Sequence, residues 1–401
     1  MFVLKPSNAF KNSQFRRFFL GVFFTVQAIW IQRVSISWIA WERSESPGFV
    51  GLIAGLSLLP TLLSGPLFGV IADRVDIRRA AFVTNGSMAV CLTVLAVLLP
   101  FVDLAGLAIA ALTIGLISSA HHPVRMSLGP RLVPQELVQY VVTVTALNFN
   151  LARLVAPAVT GLIIAEYGAR TALWTSVVFY LPMLVILIGL RPRPLPDRPN
   201  AAFFTALIDG FRFAMASPVI RLAFLISVVF ATMVRGALEV LPVLADGAFE
   251  RGATGLGALT TAAGVGALAS ASFKLVGVGS SDARISMGVL VATMGGQFAV
   301  IGMGLATSWT FVLIATALAG FAATYVGISL QAAIQTNLPD DFRGRVMSLW
   351  TVVGFGTVAF GAFGIGGLAE LFGIGAALAT VGGLGCVAVA AIFIFMRGAR
   401  I

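Results

Sequence analysis

Residues 69–79 read GVIADRVDIRR, a charged segment that ends one apolar run, residues 49–72, and leads into the next, residues 80–100. Each run is long enough to cross a bilayer as a helix, because a crossing takes about 20 apolar residues. The charged segment is too short to form a domain, so it is expected to be a tight loop between two spans. The stretch therefore predicts a membrane protein that crosses the bilayer repeatedly.

The composition extends this prediction to the whole chain. Of the 401 residues, 59% are hydrophobic and 10% are charged, and the mean hydropathy is +0.99. A soluble domain carries about 25% charged residues, so the exterior of this protein must face lipid. The net charge of +10 does not indicate a nucleic-acid partner, because the basic residues flank apolar runs and form no patch with interleaved aromatics.

Division of the chain at charges and at proline or glycine clusters gives twelve apolar runs. They cover residues 18–41, 49–72, 80–100, 104–124, 137–165, 171–190, 219–244, 253–276, 285–306, 309–335, 345–369 and 374–396. The sequence therefore predicts an all-α membrane protein with twelve transmembrane helices. Glycine and proline within the runs are compatible with this, because neighbouring helices satisfy the freed backbone groups.

The distribution of basic residues predicts the orientation of the chain. With the N-terminus inside, the inside segments carry 20 Lys and Arg, and the outside segments carry three, which are Arg43, Arg170 and Arg251. Cytoplasmic loops of membrane proteins are enriched in Lys and Arg. We therefore expect a multi-pass protein of the cell inner (plasma) membrane with both termini in the cytoplasm.

Residues 191–218 are the only long interruption of the hydrophobic pattern. They begin with the proline-rich RPRPLPDRPN and continue into residues 201–217, whose apolar positions predict an amphipathic helix on the cytoplasmic surface. This linker divides the chain into an N-terminal bundle, residues 1–190, and a C-terminal bundle, residues 219–401.

The two halves are similar in sequence. RLVPQELVQYVVTVTALNF at 131–149 aligns with TNLPDDFRGRVMSLWTVVG at 336–354, and at the same offset of 205 Gly161 matches Gly366 and Gly168 matches Gly373. A repeat of six spans is a recurrent transporter architecture, with the solute site between the halves near mid-membrane. We expect two pseudo-symmetric six-helix bundles.

The loop at 69–79 resembles the G-x-x-x-D-R-x-G-R-R signature of the major facilitator superfamily, through Gly69, Asp73, Arg74, Arg78 and Arg79. It departs from that pattern at Asp76 and Ile77. The resemblance implies a conformational latch in which Asp73 lies against the start of the eleventh span, near residues 342–345. A carboxylate at a helix N-terminus is favourable by about 0.3–1 kcal/mol, which suits a contact made and broken in each cycle.

Four further stretches, residues 32–47, 122–134, 148–161 and 338–350, resemble the enterobactin-exporter-like branch of that superfamily, which includes macrolide and other drug exporters. The resemblance implies a monomeric secondary active transporter that exports a siderophore-like or drug-like organic molecule by proton antiport. An importer of an organic anion, or a non-transporting receptor or assembly factor on the same scaffold, remains an alternative.

Polar residues inside the spans are candidates for the substrate cavity or a gate, because a buried charge costs about 2.5–3.5 kcal/mol in insertion experiments. The candidates are Gln27, Trp30, Arg33, Asn150, Arg153, Arg235 and Gln331, with Glu239 as the proton-binding candidate. One hypothesis is a positively charged cavity that attracts an anionic or polyphenolic solute. The other is structural, with an intrahelical pair between Arg235 and Glu239 and the other arginines pinning an external gate.

Other polar residues near span ends are expected to have simpler roles. His121 and His122 are expected to lie beside the headgroups, although a proton relay is conceivable, and Glu370 is expected to face water. The chain has no G-x-x-x-x-G-K-[ST] loop, no metal-ligand spacing and no nucleophile–base pair spaced for catalysis. We therefore expect no ATP hydrolysis, no enzyme activity, no cofactor and no metal.

Overall fold

The structure is a computed structural model that describes residues 7–193, 203–275 and 285–398. All the regular secondary structure within these ranges is helical. This follows from the sequence, because an apolar segment in lipid must satisfy its backbone hydrogen bonds internally, and a helix does so within one segment.

The helices of the N-terminal half are α1 (Ser7–Lys11), α2 (Ser13–Ser44), α3 (Pro47–Arg74), α4 (Ile77–Leu98), α5 (Leu104–Leu128) and α6 (Val138–Gly189). Helix α7 (Phe203–Ala216) follows the linker. The C-terminal half contains α8 (Pro218–Phe230), α9 (Gly252–Leu275), α10 (Met287–Leu305), α11 (Trp309–Thr336), α12 (Asp340–Phe372) and α13 (Ile374–Gly398).

The helices account for the twelve predicted spans. Ten helical segments of the described residues are long and apolar enough to cross a membrane. One of them, Gln135–Gly189, has 55 residues and contains the fifth and sixth predicted spans, and α3, with 28 residues, supplies the second span. The predicted twelve-helix, all-α class is confirmed.

The fifth and sixth spans meet at Gly168, and the eleventh and twelfth spans meet at Gly373. The backbone angles are φ 80°, ψ 161° at Gly168 and φ 79°, ψ 154° at Gly373. Glycine alone adopts this region readily, because it lacks a Cβ atom. The two halves therefore make the same glycine turn at the end of the bundle that is predicted to face the exterior, hereafter the predicted external end.

Close helix crossings join the two halves at equivalent glycines. A Cβ atom at Gly51 of α3 would lie 2.5 Å from the carbonyl oxygen of Ala362 in α12, and the Cα of Gly366 lies 3.0 Å from the same point. A Cβ atom at Gly161 of α6 would lie 2.6 Å from the carbonyl oxygen of Ala253 in α9. Small residues let membrane helices approach closely, and the repeat-related Gly161 and Gly366 have the same role in the two crossings.

Helix α7 packs on the beginning of α12. The rings of Phe213 and Phe342 are stacked with centroids 4.4 Å apart, and Arg345 Nη1 lies 3.5 Å from Asp209 Oδ2. Phe211 is exposed, as a helix on the membrane surface requires. The surface location and the domain boundaries stay predictions, and linker residues 194–202 lie outside the described residues.

The seventh predicted span, residues 219–244, is not one continuous helix as expected. Helix α8 ends at Phe230 and passes into a π-helical turn, Ala231–Arg235. The chain leaves the helical path around residues 238–240 and continues through Pro242 into a second π-helical segment, Val243–Ala248. Proline lacks the backbone N–H that would continue the α-helical pattern, and π-helical turns frequently mark functional sites.

Candidate functional site

An ion pair between Arg33 and Glu239 joins the two halves of the protein. Arg33 Nη2 on α2 donates a hydrogen bond to Glu239 Oε1, which lies in the interruption of the seventh span. The Arg33 side chain is 43% exposed and the Glu239 side chain 14%. The backbone leaves the helical path at residues 238–240, and the Glu239 carboxylate accepts its hydrogen bond from Arg33, while Arg235 interacts electrostatically with the same carboxylate.

Trp30 lies between two of the arginines. The guanidinium carbon of Arg33 is 5.5 Å from the indole centroid, and that of Arg153 is 5.8 Å from it. Both are within the range in which a cation is attracted to an aromatic face. Trp30 is 8% exposed, and its buried Nε1 has no hydrogen-bond partner among the described residues, so the indole contributes an unused donor to the site.

Arg33, Arg153 and Arg235, the arginine cluster, surround a single carboxylate. Arg153 interacts electrostatically with Arg235, Arg33 and Glu239, and Arg235 interacts with Glu239 and Arg33. Among the described residues, these three guanidinium groups interact with one carboxylate, so the cluster has an excess of two positive charges. Each guanidinium has five N–H donors and no acceptor. The site is therefore rich in donors and poor in acceptors, as a site for an acidic ligand requires.

The aromatic contacts extend from Trp30 to a fourth arginine that the sequence analysis did not single out. The Phe149 ring on α6 lies 5.7 Å from the Trp30 ring, and Arg125 on α5 lies over Phe149 at 5.5 Å. Phe149 gave no signal in the sequence, because one aromatic residue in an apolar run is indistinguishable from a lipid-facing one. For Arg125, the only signal in the sequence was its position near the end of a predicted span.

Three candidates are outside this group of contacts. Gln27 is buried on α2, about one turn before Trp30. Asn150 donates Nδ2 to the Ala146 carbonyl oxygen at 2.9 Å, so its amide is used along its own helix. Gln331 is exposed on α11. Within the described part of the chain, no hydrogen bond, ion pair or ring contact connects Gln27, Asn150 or Gln331 to the arginine cluster.

Two further contacts cross between the halves at the predicted external end. Trp41 Nε1 donates to Asp246 Oδ2 at 2.8 Å. Glu370 accepts from Ser46 Oγ at 2.8 Å and from the Gly48 backbone N–H at 3.0 Å. The expectation that Glu370 only faces water is wrong, because Ser46 in the α2–α3 loop and Gly48 in the first turn of α3 donate to its carboxylate. Together with Arg33–Glu239, these contacts hold this end of the bundle together.

The charged loop at 69–79 is described in part. Asp76 is the N-cap of α4 and accepts from the backbone N–H groups of Arg78 and Arg79 at 2.9 and 3.1 Å, which explains an aspartate where the family motif has glycine. Arg78 Nη1 lies 3.4 Å from the Leu190 carbonyl oxygen. Residues 69–74, which begin with Gly69, are helical. The side chains of Asp73 and Arg74, which the latch needs, lie outside the described residues, so the latch stays a prediction.

His121 is buried inside the N-terminal bundle. It is 4% exposed, and its Nε2 lies 3.3 Å from Asn85 Oδ1 inside the N-terminal bundle. His122, the next residue, points to the other half, where its ring is 6.2 Å from that of Phe355 on α12. Among the described residues, no three His, Cys, Asp or Glu side chains come together as a metal site.

Comparison with known proteins gives consistent matches. A family model described as "Transmembrane secretion effector" matches residues 5–400. The chain is 27% identical over 397 residues to the enterobactin exporter EntS of Salmonella choleraesuis, covering 96% of this chain and 92% of the relative. It is 26% identical over 367 residues to EntS of Shigella boydii serotype 4, with 89% and 85% covered.

Among solved structures, the nucleoside transporter NupG superposes with a TM-score of 0.75 at 12% identity, covering 96% of this chain and 99% of that one. At this identity the likeness concerns the fold alone. It is a likeness over both halves and not over a single bundle.

Proposed function

Because this chain belongs to the transmembrane secretion effector family of major facilitator transporters, we propose that it exports an acidic small organic molecule in exchange for protons. The chain is a multi-pass membrane transporter and not an enzyme. We propose three properties beyond this, namely the substrate class, the direction of flux and the coupling ion.

The observation that carries the substrate class is the excess of two positive charges in the arginine cluster. A cationic drug would bring a further positive charge next to the arginine cluster, and like charges in contact cost several kcal/mol. A carboxylate or phenolate would supply an acceptor for the Trp30 indole and a negative charge for Arg153 and Arg235. The relatives named above export enterobactin, and we propose a siderophore-like acid or polyphenol over a basic drug.

The Arg33–Glu239 pair supports coupling between substrate, proton and conformation. An acidic group that binds Arg33 competes with the Glu239 carboxylate for the same guanidinium. A proton on Glu239 removes the same ion pair by neutralising the acid. Either event weakens a contact between the halves, and we propose that this contact controls opening of the predicted external end.

The remaining parts of the proposal concern the cycle. Alternating access proceeds by rocking of the two halves about the central site, with both termini in the cytoplasm. Asp73 and its loop act as the latch at the cytoplasmic end. A monomer suffices for this mechanism, because one chain supplies both Arg33 and Glu239.

Flux measurements in proteoliposomes test this function. Purified protein is reconstituted, and enterobactin movement is recorded under imposed pH gradients of each sign. We expect transport towards the acidic compartment, in exchange for protons, and loss of most of it on Arg153→Gln. Arg170→Gln is the matched control, because Arg170 Nε donates to the Ala96 carbonyl oxygen, away from the cluster.

Other results would replace the proposal. Uptake coupled with the opposite sign identifies an importer of organic anions. Movement that Asp73→Asn leaves unchanged overturns the latch. No movement of acidic or neutral solutes by pure, monodisperse protein favours a receptor or assembly factor on the same scaffold.

A further inference from the structure

Arg125 is a buried arginine that the proposed transport site has not used. It lies on α5, two residues after Pro123, and is 8% exposed. Within the described residues it makes no ion pair, and its Nε is buried without a hydrogen-bond partner. Its electrostatic neighbours are His121, His122 and Tyr180, none of which is an acid carboxylate. A buried charge without a counterion is destabilising by several kcal/mol, so the position needs an explanation.

Among the described residues, the inside of the N-terminal bundle supplies no carboxylate counterion for Arg125. A cavity of about 10 Å³ beside it is lined by Thr25, Asn85, His121 and Arg125 among others, which is about the size of one water molecule. Thr25 Oγ1 is also buried and has no hydrogen-bond partner in the part of the chain that the structure describes. This cavity has room for about one water molecule and not for a carboxylate group. An anion would therefore reach the guanidinium from its other side.

The other side of the guanidinium leads to the arginine cluster. The Arg125 guanidinium lies over the Phe149 ring, and that ring contacts the Trp30 ring. The Arg153 guanidinium in turn lies over Trp30. Cations and aromatic rings thus form a continuous row across α5, α6 and α2. His122, three residues before Arg125, contacts Phe355 of the opposite half, so this turn of α5 borders the interface between the halves.

We propose that Arg125 and Phe149 form a second binding position for the transported molecule, which takes an acid group attached to an aromatic ring. The acid pairs with the Arg125 guanidinium and the ring packs on Phe149, in the way that Trp30 and Arg153 can hold the same pair of groups. The row therefore has two binding positions, each made of an arginine and an aromatic ring. They lie on opposite sides of the Phe149–Trp30 contact. This inference rests on the proposed transport of acidic molecules.

Binding of a matched pair of probes tests the second position. Equilibrium dialysis of the purified full-length protein in detergent measures 1-naphthoate and its neutral counterpart 1-naphthamide. We expect Arg125→Gln to raise the Kd for naphthoate about tenfold, Arg125→Lys to raise it less, and neither to change naphthamide binding. Phe149→Leu should weaken both probes, because the ring contact is common to them. Arg170→Gln, outside the row, should leave both affinities unchanged.

The variants of the two positions separate this inference from the proposed function. If Arg153→Gln weakens naphthoate binding but neither Arg125 variant does, the second position is wrong and the arginine cluster stands. If the Arg125 variants weaken naphthoate and naphthamide equally, Arg125 only supports the fold, and the inference fails. Naphthoate-specific loss in both Arg125 variants, with Arg153→Gln giving a separate loss, supports it. Flux of enterobactin in proteoliposomes decides the proposed function independently.

Discussion

Gly168 and Gly373 share one backbone conformation, with φ of 80° and 79° and ψ of 161° and 154°, although 205 positions separate them in the chain. Each links the last two spans of its half. Among the described residues, and apart from the chain neighbours, no heavy atom lies within 4 Å of the place where a Cβ would stand at either residue. The restriction to glycine at these positions therefore comes from the backbone conformation and not from crowding.

Alanine at Gly168 or Gly373 should destabilise the protein by about 1–3 kcal/mol each, because an L-residue in this region is strained. Thermal unfolding in detergent measures the effect. Gly364→Ala and Gly367→Ala are matched controls, since both glycines are helical residues of α12 with open space around the Cβ position. They should be neutral or stabilising by up to about 1 kcal/mol. Equal losses in all four variants would contradict the interpretation.

Gly51→Ala should weaken the α3–α12 crossing between the halves. The new Cβ would stand 2.5 Å from the Ala362 carbonyl oxygen, and backbone cannot move aside as a side-chain end can. Overpacking of this kind costs about 1–3 kcal/mol, and both thermal stability and enterobactin flux should fall. Gly55→Ala is the control, because its Cβ would make an ordinary 3.5 Å contact with the Ala359 carbonyl oxygen. A Gly51 variant as stable and active as the Gly55 variant would show that the crossing is not tight.

Exchange of the charges at Arg33 and Glu239 should partly restore what either single change removes. Arg33→Glu alone leaves two acids facing each other, and Glu239→Arg alone adds a cation to the arginine cluster. The double variant reforms an ion pair between the halves, and a double-mutant cycle of thermal stabilities should give a coupling of about 0.5–3 kcal/mol. Additive effects of the two changes would mean that the observed pair does not contribute.

Asp76→Ala should lower the stability of the protein by about 0.5–2 kcal/mol, because the N-cap of α4 is lost. Asp76→Gly should cost only a few tenths of a kcal/mol, and Asp76→Asn should keep the cap. The ranking Ala worse than Gly, measured by thermal unfolding in detergent, distinguishes capping from a need for negative charge. If Asn and Ala are equally destabilising, the carboxylate has a role other than capping.

The sequence predicted the helical class, the number of spans and the glycine equivalence well. These depend on local properties, namely run length, apolar composition and the restriction of one backbone conformation to glycine. It also identified Arg33, Arg153, Arg235 and Glu239 as charges that need an explanation. It did not predict the interruption of the seventh span, because π-helical turns depend on packing against other helices as well as on Pro242.

The partners of the charges were decided by tertiary structure alone. Spacing along the chain favoured Arg235 for Glu239, whereas the fold brings Arg33 to it from 206 residues away. In the same way Glu370 meets Ser46 across the interface, and Phe149 connects Trp30 to Arg125. The length and hydrophobicity of each apolar run can be read directly from consecutive residues. The sequence by itself therefore determined a twelve-span membrane protein with two related halves. An ion pair or a ring contact depends on distances between helices, and only the packed structure determined those.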